Sequence, residues 1–432
     1  MHAISSDKAV EEKTRRVLNE IFAGCPLQKV GIRLWNGAMW PDARTREATL
    51  VLNHPGALSQ MLWPGTEVGL AEAYLHDDFD VEGNIEAAFE IGDFLLAHLG
   101  DWKTKLKIGG LLVTLPKRDG KSTMRRAGPR IRGRKHSPKR DRRAVMFHYD
   151  VSNDFYRLLL DRRMVYSCAY FQSPNDNLDK AQEQKLDYIC RKLRLRPGQR
   201  LLDIGCGWGG LIIYAAKHFG VRAEGITLSE PQAKWAQARI ADAGLDTQVE
   251  IELRDYRDIT AEGAELYDAI VSVGMAEHVG RERLRDYFAR AYRVLKPGGV
   301  FLNHAIGEGA VTRPDNRGGS FIEQYVFPDG DIPPLSIMLA AAEAAGFEVR
   351  DVENLREHYV LTLRHWLRQL ETHDDEALRF VDETTYRVWR LYIAGSAHGF
   401  QRGHMAVYQT LLAKPGTAGR VDLPLRRDDW YK

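Results

Sequence analysis

Cysteine is scarce in this chain: four residues among 432, at positions 25, 168, 190 and 206. No two stand as Cys-x-x-Cys, so neither a disulfide framework nor a cysteine-built metal site is expected, and reduced thiols are the default. Long apolar runs are missing too. No stretch approaches the roughly 20 apolar residues of a membrane-spanning helix, and Met1–Ala9 lacks the basic-then-apolar pattern of a secretory signal. The reading is therefore a protein kept in the cytoplasm, long enough for one full domain plus an appended one.

Net charge is also nearly absent, at +2 from 61 basic and 59 acidic residues. That balance hides an asymmetry. Between Lys117 and Arg143 stand thirteen Lys or Arg against two acids, which leaves 48 basic and 57 acidic residues for the rest of the chain. Like-charge repulsion with interspersed Gly and Pro marks the stretch as a mobile linker. It doubles as a patch for anionic phosphates. No Phe, Trp or Tyr interrupts it to stack on bases, which favours phospholipid headgroups over nucleic acid.

What is present is organised around Leu201-Leu202-Asp203-Ile204-Gly205-Cys206-Gly207-Trp208-Gly209-Gly210-Leu211. Apolar residues run into an acid and a glycine cluster and then into helical sequence, which reads as a parallel strand, a tight turn and a helix start. Such turns, at the carboxyl end of a strand, hold nucleotide-like ligands in doubly wound α/β sheets. Gly205, Gly207 and Gly210 also satisfy dinucleotide spacing. However, the second strand, Ala223–Leu228, ends in Thr227-Leu228-Ser229 instead of an acid. Asp255, after a third strand at Val249–Leu253, is placed for an adenine amino group.

Further strands are expected at Tyr267–Val273 and Val300–Ile306, with a helix between them from about Arg283 to Leu295 and helix-rich sequence from Leu335 onward. A strand-like piece at Phe347–Val352 interrupts that helical tail. The fold class is thus α/β with a mostly parallel sheet. The first hundred residues read as a small α+β domain without a catalytic constellation. The expected domains are 1–110, a basic linker at 111–143 and a catalytic domain at 144–432.

The motifs Leu202–Gly210, Gly225-Ile226-Thr227-Leu228-Ser229-x-x-Gln232 and Glu277-His278-Val279-Gly280 closely resemble the cyclopropane fatty acid synthases and their mycolic acid relatives. His148–Tyr156, Tyr166–Phe171 and His358-Tyr359-x-x-Thr362-Leu363-x-x-Trp366 extend the match over roughly Val145 to Leu412. The resemblance implies a Rossmann-like class I methyltransferase that uses S-adenosylmethionine (SAM) on cis-unsaturated acyl chains of phospholipids. Carried over, it puts Tyr166 and Ser167 against the cofactor and Asp203 to Leu211, with Gly205, Gly207 and Gly209, around its methionine part. Thr227, Leu228 and Gln232 fall at the ribose, and Asp255 and Tyr256 at the adenine. It also implies a bicarbonate ion acting as base, held by Cys168, Glu277, His304, Tyr359 and the Ile306 backbone.

Chemistry agrees with that assignment. An alkene is a poor nucleophile, so the methyl sulfonium must be held in line with it. The resulting carbocation must then lose a proton in a pocket that excludes water. Tyr149, Phe171, Tyr325 and Tyr359 offer aromatic faces to the cation. Ala276 stands where the family carries a bulkier residue, which points to a larger acyl pocket. The Gln324–Pro328 stretch resembles a family loop near the acyl site. A homodimer, peripheral attachment to the inner face of the membrane, no metal and no nucleic acid complete the expectations. The rival product is a methyl- or methylene-branched chain or a furan fatty acid precursor.

Overall fold

The computed structural model describes residues 2–25, 27–63, 65–98, 102–116, 140, 143, 151–259, 266–312 and 319–431. Most of the basic stretch and Tyr149 lie outside these residues. Arg140 is described, and its guanidinium pairs with the Asp329 carboxylate (Nη2 to Oδ1, 2.8 Å).

The chain divides into two compact units, the first made of Met1–Arg130, Arg313–Val326 and Asp382–His398. It holds a four-stranded sheet of β1 (Val30–Arg33), β2 (Met39–Trp40), β3 (Ala48–Leu52) and β4 (Phe79–Gly83), in the order β2-β1-β3-β4. β1 and β3 run parallel; the outer pairings are antiparallel. In β3, Ala48, Leu50 and Leu52 are buried and alternate with half-buried residues, the period of a sheet with one face on a core. Glu67–Leu75 starts where Thr66 accepts the Gly69 amide on its hydroxyl.

Two later segments complete this unit, which therefore draws on sequence far beyond the 1–110 span. From the helix Glu383–Gln401, Arg387 donates to Asp77 and Asp80 (2.9 and 3.0 Å), and His398 pairs with Asp93. Gly395 lets a ring approach: a Cβ there would lie 2.9 Å from the Phe89 ring. Tyr325 donates its hydroxyl to Glu72, and the Phe321 amide donates to Glu67.

The second unit comprises Ile131–Thr312, Phe327–Val381 and Gly399–Lys432. Its strands are β5 (Arg200–Ile204), β6 (Arg222–Thr227), β7 (Val249–Leu253), β8 (Tyr267–Val273), β9 (Leu295–Glu308), β10 (Glu348–Asn354) and β11 (Met405–Ala413). They form one sheet in the order β10-β11-β9-β8-β5-β6-β7. β7, β6, β5, β8 and β9 are parallel, and β11 is inserted antiparallel between β9 and β10. The direction of winding reverses between β5 and β8, so a crevice opens at their carboxyl ends.

Helices cover both faces, which is why these strands read as continuous apolar runs. Leu201, Val271 and Leu302 pack on one side with Leu186, Ile189, Ile212 and Ile240. Leu202, Ile204, Ile270 and Phe301 pack on the other with Leu284, Phe288 and Val294. Adjacent residues of β5 therefore serve opposite cores.

Candidate active site

A cavity of about 130 Å³ occupies the crevice beyond β5 and β8. β5 delivers Asp203 and Ile204 to its wall, and the turn after it contributes Gly205, Cys206, Gly207 and Trp208. Gly205, Gly207 and Gly209 have φ of +85°, +54° and +78°, a region that side chains disfavour. At Gly207 an added Cβ would meet nothing within 4 Å, so the bare backbone faces open space. The helix Gly210–Phe219 begins at once with its amides toward the turn.

β6 ends in Thr227, which lines the same cavity together with the following Leu228 and with Gln232. Ser229 caps the helix Glu230–Asp242 by accepting the Gln232 amide, and Pro231 occupies its first turn. The Thr227 hydroxyl donates to Gln232 Oε1 at 3.0 Å, which fixes the orientation of that side-chain amide. Tyr166, Ser167 and Tyr256 complete the residues placed here from sequence. Gly209 and Asp255 are not in the wall. Gly209 is the helix cap, and Asp255 turns to a local partner, accepting Arg257 Nε at 2.9 Å and Nη2 at 2.6 Å. Arg254 lines the cavity instead.

Asp203 is 2 % exposed, and its Oδ1 has no hydrogen-bond partner. Burial pushes its pKa up to about 7, against the pull of the Lys185 ammonium. An orphaned carboxylate oxygen in a cavity wall suits a cationic ligand group such as the ammonium of a methionine moiety. Two further wall residues, Lys185 and His278, were missed from sequence. Burial holds the His278 imidazole neutral, with its pKa pulled down to about 4.

The five residues expected around an anion lie outside that wall, in two groups. In the first, the short helix Ala276–Val279 after β8 sends His278 to the cavity and Glu277 toward β9. There Glu277 Oε1 accepts the Ile306 amide at 2.7 Å while Oε2 is buried without a partner. Burial raises the Glu277 pKa to about 7. His304 stands two residues before Ile306 on β9, and Gln409 Nε2, on β11, lies 3.3 Å from its Nδ1. Burial keeps the ring neutral, so one ring nitrogen donates and the other accepts.

The second group is Cys168 and Tyr359. The Cys168 thiol donates to the carbonyls of Ala169 and Leu355 (3.3 and 3.7 Å), and the Tyr359 amide donates to the same Leu355 carbonyl. Aromatic rings connect this group to the cavity. Trp208, Tyr156, Tyr166, Trp366, Tyr359 and Phe400 follow one another with centroids 4.7 to 6.0 Å apart. Phe171 stacks instead on His365, Tyr325 belongs to the first unit, and Ala276 is buried in the core beside Val279 and Leu284. Among the described residues no cluster of His, Cys, Asp or Glu is arranged to hold a metal, and no helix is long and apolar enough to cross a membrane.

A profile of the mycolic acid cyclopropane synthetase family matches residues 136–410. The chain belongs to this family. A probable fatty acid methyltransferase of Pseudomonas putida is 40% identical over 403 residues, 93% of this chain and 96% of that one. The cyclopropane-fatty-acyl-phospholipid synthase of Escherichia coli (strain K12) is 34% identical over 92% of this chain and 93% of its own. Among solved structures, the cyclopropane synthase MmaA2 from Mycobacterium tuberculosis superposes with a TM-score of 0.60 and 35% identity, covering 63% of this chain and 98% of that one. Mycolic acid cyclopropane synthase CmaA1, complexed with SAH and CTAB, gives a TM-score of 0.59 at 34% identity over 63% and 97%. As a member of the mycolic acid cyclopropane synthetase family, the chain is a SAM-dependent methyltransferase with a class I α/β fold.

Proposed function

We propose that this enzyme adds a one-carbon bridge from SAM across the cis double bond of unsaturated acyl chains in membrane phospholipids, giving cyclopropane fatty acids. The observation that carries the reading is the buried, partnerless Glu277 Oε2, whose other oxygen holds the Ile306 amide two residues beyond the buried, neutral His304. This donor and acceptor set suits a small hydrogen-bonding anion. Bicarbonate bound there would supply a base for the proton lost from the newly attached methyl group. Cys168, Glu277, His304, Tyr359 and the Ile306 amide would hold it. An anion that reaches the Ile306 amide must first displace Glu277 Oε1 from it.

The cofactor cavity takes the methyl donor, with Asp203 toward its ammonium, Gln232 and Thr227 toward the ribose and Tyr256 toward the adenine. SAM bound there would supply an electrophilic methyl group, and its transfer to the alkene would leave positive charge on the acyl chain. The ring series from Tyr166 to Phe400 offers π faces to that charge in a site shielded from water. Loss of the proton lets the last C–C bond close the ring.

A phospholipid substrate is supported by a relative of that name which this chain matches over nearly its whole length, N-terminal unit included. A route to the bilayer surface is supported by the Lys117–Arg143 charge and by exposed apolar side chains on the N-terminal unit. Trp63, Leu106 and Val113 are 71%, 68% and 82% exposed. Leu106 and Val113 are seven residues apart, on one side of the helix Trp102–Leu112 and its end, and Trp63 lies against Gly109 between them.

The rival outcome, a branched chain without a ring, has support in the 40% identical fatty acid methyltransferase and in a sphingolipid C9-methyltransferase of Komagataella phaffii, 34% identical over 65% of this chain and 59% of that one. Mass spectrometry of lipids from a host expressing the chain separates the two. Phospholipid acyl chains that gain one CH₂ and resist hydrogenation support the ring; chains that gain it and take up hydrogen support the branch. Unaltered lipids with methylated nucleic acid or small molecules would overturn both.

A further inference from the structure

Two buried polar side chains on one face of the helix Leu178–Lys192 grip the segment Val165–Cys168 from behind. Gln182 donates Nε2 to the main-chain carbonyls of Ser167 and Val165, at 2.8 and 3.2 Å. One turn later, Lys185, only 1 % exposed, donates Nζ to the Ser167 hydroxyl at 2.8 Å. The gripped segment joins the two halves of the site. Its Tyr166 and Ser167 line the cofactor cavity, and its Cys168 belongs to the anion group.

Burying an ammonium costs several kcal/mol unless its charge is used. Around Lys185 the charged and titratable groups come from every side. Asp161 lies in the turn before the segment, Cys168 in the segment itself, Asp203 at the end of β5 and His304 on β9. Asp161 is occupied, since its carboxylate accepts the Val165 and Arg163 amides. Asp203 is not, and it shares the cavity wall with Lys185. The thiols of Cys190 and Cys206 and the Tyr287 hydroxyl also face Asp203 but carry no charge at neutral pH.

We propose that Gln182 and Lys185 are positioning residues for the transfer reaction: they fix Tyr166, Ser167 and Cys168 between cofactor and anion, and the Lys185 ammonium holds Asp203 as the carboxylate that receives the cofactor's cationic methionine end. This rests on the reading of the cavity as the SAM site. Burial draws the Lys185 pKa down to about 8 and raises that of Asp203 to about 7, with Lys185 opposing the rise. Removing the ammonium lets the Asp203 pKa climb further. Cofactor affinity, which needs the ionised carboxylate, is then lost at a higher pH than in the wild type.

The test is calorimetric titration of the full chain with S-adenosylhomocysteine across the neutral pH range. Wild type, Lys185→Met, Gln182→Leu, Ser167→Ala and Asp203→Asn are compared, each checked for folding by circular dichroism. For Lys185→Met the pH midpoint of binding moves up by about one unit, with affinity near neutrality down about fivefold. Ser167→Ala and Gln182→Leu bind more weakly at the wild-type midpoint, and Asp203→Asn loses the pH dependence. An unmoved midpoint in folded Lys185→Met overturns the role of the charge. Wild-type affinity in both Gln182→Leu and Ser167→Ala overturns the clamp. Should Lys185→Met fail to fold, Asp203→Asn decides, because a pH dependence that survives it also overturns the proposal. Failure of the cavity reading looks different: the wild type itself then binds no S-adenosylhomocysteine.

Discussion

Glu277 Oε1 accepts the Ile306 amide at 2.7 Å, and this one bond ties the helix after β8 to the middle of β9 while leaving Oε2 buried and bare. Burial makes the folded chain bind a proton at Glu277 more tightly than the unfolded chain does. Stability from this group is therefore fully present below pH 4.5 and is lost as pH rises through about 7. Glu277→Gln removes the decline, so its stabilisation over wild type grows with pH to at most about 3 kcal/mol above neutrality. Lipid methylation falls by ~10² or more if the carboxylate serves the base. Melting curves and turnover over a pH series check both, and a stability difference that does not grow with pH would falsify the assignment.

Burial raises the thiol pKa of Cys168, Cys190 and Cys206 far above the usual range, and Cys25 is only half-buried. Mass mapping after iodoacetamide treatment of the folded protein is expected to find Cys25 labelled first. The other three react only on denaturation. Early labelling of Cys168 would mean a thiolate in the site, and so a different role for it.

Gly225 sits on β6 beneath the glycine turn, where an added Cβ would come within 2.8 Å of Cys206 and 2.7 Å of the tip of Ile212. Gly225→Ala is expected to cost about 1–3 kcal/mol of stability through overpacking. It also weakens S-adenosylhomocysteine binding, because Cys206 carries the turn with it. Denaturant unfolding and calorimetry read the two effects, and a variant as stable as wild type contradicts the packing.

Replacing Arg125, Arg126, Arg130, Arg132 and Arg134 by Gln is expected to reduce sedimentation with anionic vesicles, at up to about 1 kcal/mol per charge in low salt. Trp63→Ser lowers the salt-resistant part of the binding, since apolar insertion is not screened. Unchanged sedimentation in both variants removes this surface from the function.

The α/β sheet was legible because its central strands are apolar on both sides and end in turn chemistry that only a few residues supply. β11 was not: Met405-Ala-Val-Tyr-Gln-Thr-Leu-Leu-Ala413 is a nearly continuous apolar run inside a helix-rich tail, and periodicity does not separate a buried strand from a buried helix. Most of the cavity wall could be read from motifs. Asp255 lies outside that wall, where Arg257 two residues on donates to its carboxylate. Lys185 and His278 are the opposite case. A lysine on an amphipathic helix reads as solvated, and only the tertiary fold reveals that this one points inward beneath Ser167. A faint signal existed in Gln182 and Lys185, three residues apart on the same side as Ala181, Leu186 and Ile189.

The insertion of β11 between β9 and β10 bears on how the protein is made. β9 has no outer neighbour until Met405–Ala413 arrives, and the N-terminal unit likewise waits for Asp382–His398. Both units therefore close only once residues 382–413 have left the ribosome, and until then each exposes unpaired strand edge or bare apolar helix face. A nascent chain stalled before residue 400 is a chaperone client in both halves at once, so truncated products should be cleared as a whole and not survive as a working fragment.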